Sequence, residues 1–162
     1  MQDDWAELSE IEARVTAQDR LDLHYEHQDA RDVERGSWRL ADYLRGCREV
    51  QVTVGERSVA GTILTVGADW MHLSTAIVRL DACESLTVSG VGSADRTVLD
   101  FRKAVRQLAG RIPREVVLRS GQSRLVAIEW VARDFMQVRA EAGKSLVPLA
   151  QVAVIFGRVE IA

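Results

Sequence analysis

One group of side chains able to do chemistry in this chain is basic. Arg102-Lys103 and Arg106, joined by Arg111 and Arg114, gather positive charge in one short stretch. Charge of that kind can contact a phosphate backbone, and beside Asp100 it equally makes an ordinary solvated helix face. His24 and His27 stand at helical spacing with Glu26 and Asp29 nearby. Two imidazoles without a firm third ligand fall short of a metal site, so no metal is expected. His72 has no serine or cysteine nucleophile at motif spacing, which leaves nucleophilic catalysis unsupported. No P-loop, GxGxxG, CxxC or HExxH occurs in the chain. The expectation is a protein that is not an enzyme and needs no cofactor.

The elements that must position these groups come from one passage written twice. Val66-Gly67-Ala68-Asp69-Trp70-Met71-His72-Leu73 returns as Val131-Ala132-Arg133-Asp134-Phe135-Met136-Gln137-Val138. The match extends outward: Gly61-Thr62-Ile63 lies over Val126-Ala127-Ile128, and Gly55-Glu56-Arg57-Ser58 over Ser120-Gly121-Gln122-Ser123. Each unit reads as a helix ending at Gly46 or Gly110, followed by about five short strands. In the strands, Met71 and Leu73 oppose Trp70 and His72, as Met136 and Val138 oppose Phe135 and Gln137. Gly55 and Gly121 fall where hairpin turns are needed. Gly61 marks a bend that lets a five-stranded sheet curl into a small barrel.

Asp3 to Arg35 holds no Pro or Gly and predicts a long helix. Trp5, Leu8, Ile11 and Val15 form an apolar stripe along it, the candidate oligomer interface. Ser37 is placed to cap a second helix through Trp38, Leu40, Ala41 and Leu44. The net charge of −3 hides an asymmetry: residues 1–46 sum to −6, residues 47–93 to −2 and residues 94–162 to +5. An acidic arm and a basic second unit attract each other, and the basic unit could equally meet nucleic acid. No apolar run approaches membrane-spanning length, and Met1-Gln2-Asp3-Asp4 lacks a secretory pattern, so the expected location is the cytoplasm. Cys47 and Cys83 are then expected as free thiols.

The stretch Gly61-Thr62-Ile63-Leu64-Thr65-Val66-Gly67-Ala68-Asp69-Trp70-Met71-His72-Leu73 resembles the first signature of the Sm-like superfamily, which includes Sm, Lsm and Hfq proteins. The second copy, around Phe135-Met136-Gln137, is similar. The resemblance covers roughly residues 38–90 and 98–157, and the layout also resembles small actinobacterial proteins with a helical arm and two such units. It implies a helix followed by a bent five-stranded barrel. It also implies that the aromatic before the core Met stacks on a base and the polar residue after it reads that base. Carried over, these roles fall on Trp70 with His72 and on Phe135 with Gln137, while packing at a domain contact is the other use of such aromatics. The Asp of the Sm pattern stands one place upstream of Asp69 and Asp134, and the second Sm signature is replaced by Leu80-Asp81-Ala82 and Val147-Pro148-Leu149.

The sequence therefore predicts a mainly β protein with helices (α+β): two tandem small five-stranded Sm/SH3-like barrels, each preceded by a helix, plus a long N-terminal helix. The expected divisions are an arm over 1–36, a first unit over 37–93 and a second over 94–162. The expected function is a non-catalytic cytoplasmic interaction module, a scaffold or regulatory protein that binds a protein partner or itself. The alternative is an RNA- or DNA-binding protein that uses Arg102, Lys103 and Arg106 with the paired aromatics. No membrane partner is expected.

Overall fold

β-branched and aliphatic residues alternate with polar ones from Cys47 onward, and turn glycines punctuate them, so the described residues form eleven short strands. A computed structural model describes residues 12–21 and 39–157. Residues 12–21 are helical (α1) and exposed, within a unit spanning Met1–Arg39. Leu40–Ala162 forms the other compact unit. It begins with helix α2 (Leu40–Arg45), β1 (Cys47–Val54), β2 (Arg57–Val66), β3 (Trp70–Leu73) and β4 (Ala76–Arg79). A 3-10 turn (Leu80–Ala82) leads to β5 (Ser85–Val91) and β6 (Asp95–Arg96), and then to helix α3 (Phe101–Arg106). The chain continues through β7 (Arg114–Leu118), β8 (Ser123–Val131), β9 (Phe135–Ala140) and β10 (Gly143–Pro148). A second 3-10 turn (Leu149–Gln151) precedes β11 (Val152–Phe156).

The two closed barrels expected from the sequence are not what forms. The strands make one open sheet in the order β10-β9-β8-β7-β11-β4-β3-β2-β1-β5, antiparallel throughout, with β6 added parallel to β2. The departure lies at β4, the fourth strand of the first half, and β11, the fifth strand of the second. They pair with each other instead, with Val78 opposite Val154, Ile77 opposite Ile155 and Ala76 opposite Phe156. Both strands are apolar on both faces, and a strand of that composition needs cover on both sides. A barrel wall with one face in water does not supply it. On either side of this junction the pairing order is the same, β5-β1-β2-β3-β4 in one half and β11-β7-β8-β9-β10 in the other. Ile63 on β2 and Ile128 on β8 are both buried, as are Met71 and Met136.

Two apolar cores result, and each is completed by the other half. The first holds Val52, Ile63, Met71 and Val78 together with Val117, Ala153 and Val154 from beyond the junction. The second holds Phe101, Ile128, Met136 and Ile155 together with Trp70 and Ile77 from the first half. The arm is a second correction: the helix is described over 12–21 only, not as a long N-terminal helix. Trp5, Leu8, Ile11 and the expected cap Ser37 lie outside the described residues, and Val15 is exposed.

Helix α3 starts where Asp100 caps it, Oδ1 accepting from the Lys103 N–H at 2.8 Å. It buries Phe101, Ala104 and Val105 on the second core. The approach to α3 is held by Trp70, whose indole N–H donates to the Leu99 carbonyl at 2.7 Å. That indole leaves no room at Gly67, where an added Cβ would stand 2.3 Å from Trp70 Nε1. In the second half the smaller Phe135 takes the place of Trp70, and Ala132 takes the place of Gly67. Gly67→Ala is therefore expected to destabilise the protein by about 1–3 kcal/mol through overpacking, while Ala132→Gly costs under about 1 kcal/mol. Urea unfolding of the two variants checks this, and equal losses would show that the indole does not set the requirement.

Candidate functional site

The two copies of the duplicated passage form matching turns. In the β2–β3 turn the Gly67 N–H donates to Trp70 O at 2.8 Å, and in the β8–β9 turn the Ala132 N–H donates to Phe135 O at 2.8 Å. Each turn is then tied to the following 3-10 turn. Leu80 N–H donates to Asp69 O and Leu149 N–H to Asp134 O, both at 2.9 Å. Backbone bonds thus fix the position of Asp69 and Asp134 and leave their exposed carboxylates uncommitted to the turn. Both line one cleft of about 440 Å³ at the junction of the halves, with Arg79, Arg102 and Arg133 around it.

Three guanidinium groups meet three carboxylates in this cleft, yet they scarcely neutralise one another. The closest approach is Arg102 Nη2 to Asp100 Oδ2 at 3.9 Å. Among the described residues no ion pair engages Arg79, Arg133, Asp69 or Asp134. The Arg79 guanidinium lies over the Phe101 ring, 4.3 Å from its centroid. Desolvation holds it below the ordinary arginine value, against Asp81 and Asp69, with Arg119 adding to the lowering. Arg79 Nε and Arg102 Nε are buried and have no acceptor.

Trp70, for which the resemblance implies a base platform and its size implies packing, is fully buried in the second core, as the packing reading has it, and presents no face for stacking. His72 is buried as well, at 6% exposure, between β2 and β4. Phe135 is half-buried and meets a different aromatic: it packs edge-on against Trp130, with centroids 5.4 Å apart and planes at 71°. Gln137 is engaged, its Nε2 donating to Glu129 Oε2 at 2.5 Å. The basic trio is divided by the helix, since Arg102 lines the cleft while Lys103 and Arg106 are exposed. The sequence reading passed over Trp130. Its signal was the break of alternation at Glu129-Trp130, where the register of β8 against β9 shifts between Ile128 and Trp130.

β8, β9 and β10 carry exposed apolar side chains near this pair. Trp130, Gln137 and Leu146 stand side by side in the register, next to Phe135 opposite Pro148. Trp130 and Leu146 are exposed. Beside them the Glu129 carboxylate gathers Gln137, Arg139 at 2.6 Å and Lys144 at 3.6 Å. The Gln137 hydrogen bond does most to hold it below the usual carboxylate value, with Arg139 and Lys144 helping and desolvation opposing. Cys47 and Cys83 are free thiols, and burial, then Asp81, pushes Cys83 up to about 11.

No protein-family model, no curated protein and no solved structure matches this chain. Among the described residues no helix is long and apolar enough to cross a membrane, and no cluster of three metal-ligating side chains occurs. His24 and His27 lie outside the described residues.

Burial lowers the His72 pKa from its ordinary value through desolvation. Between that lowered value and about 6.5, the unfolded chain binds more protons at this site than the folded one. Stability is therefore complete above the unfolded value and falls as pH drops through it. His72→Gln, which places the residue found at position 137, should flatten the fall in urea midpoint between about pH 7.5 and pH 5.5. An unchanged slope in the variant would assign that pH dependence to other groups.

Proposed function

We propose that this protein is a non-catalytic cytoplasmic interaction module that adds a strand from a protein partner, a second copy of itself being the simplest, to the edge of its sheet. The observation that carries the proposal is β5. Among the described residues it ends the sheet and pairs only with β1, and its seven residues, Ser-Leu-Thr-Val-Ser-Gly-Val, contain no charge and no proline. Edge strands of monomeric proteins are ordinarily blunted by charges, proline or a covering element. An uncharged, exposed edge rich in β-forming residues is suited to main-chain pairing with an incoming strand. The opposite edge, β10, contrasts with it: Lys144 and Pro148 are the blunting residues that β5 lacks.

Outward-facing Thr87 and Ser89 also line a polar groove of about 420 Å³ with Glu49, Gln51, Thr62 and Ser74. Hydroxyl and carboxamide groups there supply side-chain hydrogen bonds beside the main-chain ladder. The free, high-pKa Cys83 fits a reducing compartment, where an inert thiol needs no partner. The test is light scattering on the full chain and on the double variant Thr87→Lys, Ser89→Lys. The wild type should exceed its monomer mass of 18.0 kDa, and the variant should return to it. A wild type that stays at 18.0 kDa at high concentration and takes up no strand would overturn the proposal.

A further inference from the structure

The cleft at the junction of the halves has a chemistry that strand addition does not use. Arg79 ends β4, Arg102 sits on α3 and Arg133 lies in the β8–β9 turn, so three separate elements deliver guanidinium groups to one place. Two of these groups hold a buried Nε–H with no acceptor. Buried donors without partners are rare in folded proteins because each forfeits its hydration. All three residues line the cleft, and the N–H donors of a guanidinium there match the paired oxygens of a phosphate or carboxylate. For Arg79 the face of the group is already taken by the Phe101 ring at 4.3 Å, which orients the group and leaves its N–H edge for an oxyanion.

Asp69 and Asp134 decide what kind of oxyanion fits. Neither carboxylate is engaged in an ion pair among the described residues, and together with Asp100 they bring the lining to electrical balance. A continuous polyanion would be repelled by these carboxylates along its path. A small ligand with a single phosphate and neighbouring hydroxyl donors would satisfy both sets of groups. The cleft volume of about 440 Å³ falls in the range of small-molecule sites.

We propose that the cleft binds a small phosphomonoester that also carries hydroxyl donors, a sugar phosphate or nucleoside monophosphate. Arg79, Arg102 and Arg133 hold the phosphate, and Asp69 and Asp134 accept from the hydroxyls. The duplicated turns supply the two acceptors, and the junction of the halves supplies the cations between them.

The test is a titration of the full-length labelled protein with ribose 5-phosphate, followed by nuclear magnetic resonance. Adenosine monophosphate, inorganic phosphate and a short single-stranded RNA serve as parallel probes. Ribose 5-phosphate should give saturable shifts at the two turns and at the start of α3. Arg102→Gln and Arg133→Gln should each weaken it by about tenfold or more, while Arg48→Gln, an equal charge change at an exposed residue of β1, leaves it unchanged. Asp69→Asn and Asp134→Asn should weaken ribose 5-phosphate without weakening inorganic phosphate. Three results overturn the proposal: no saturation by concentrations on the order of 10 mM, equal losses in Arg48→Gln, or tighter binding of the RNA than of either small phosphate through the same residues.

Discussion

The register between β4 and β11 is the constraint on which the rest of this structure depends. These two strands join the halves, and their side chains divide between two cores. Val78 and Val154 face the first, and Ile77 and Ile155 face the second. Side chains in a strand have period two, so a slip of one residue would send every one of these groups to the wrong core. Burial on both faces makes that slip costly: Ala76, Ile77, Val78, Val154 and Ile155 are all fully buried. Losing one such isoleucine to alanine typically costs about 2–5 kcal/mol, and a slip displaces several groups at once.

The same register places the chemistry. Arg79 is the last residue of β4, and Asp69 is tied by its carbonyl to the turn that follows that strand. Leu149, just before β11, ties Asp134 in the same way. Pairing β4 with β11 therefore brings both turns to one cleft. The Trp70 indole adds α3 to the arrangement by fixing Leu99, one residue before the helix cap. Surface ion pairs between the halves, Arg57 with Glu115 and Arg119 with Asp81, reinforce the junction. Their side chains are partly exposed, so each contributes modestly beside the apolar cores.

Much of the local structure was legible in the residues. The hairpin turns at Gly55 and Gly121 form with positive φ, and an added Cβ on Gly55 would stand 3.0 Å from the Gly121 Cα. The matched passages form matched turns, with Met71 and Met136 inside. Sheet continuity was not legible, because alternation within a strand does not say which strand will lie beside it. The available signal was the loss of alternation in Ala76-Ile77-Val78 and Val152-Ala153-Val154-Ile155, which marks strands covered on both faces. The candidate site was legible in part. Arg102 lines the cleft, and of the two readings of Trp70, stacking and packing, the structure carries packing, with Gly67 beside it leaving room for the indole. Arg79, Arg133, Asp69 and Asp134 come from far apart in the chain, and no spacing rule links them.

Native-state hydrogen exchange tests the central claim most directly, because it reads the stability of individual backbone hydrogen bonds. If the two cores are joined through β4 and β11, the amides of Ile77, Val78, Val154 and Ile155 should be among the slowest in the protein. Protected amides of both halves, such as Val52 and Ile128, should then open at the same global free energy. Early exchange across β4 and β11, with either half remaining protected by itself, would contradict the account and mark the junction as a contact between independently stable units.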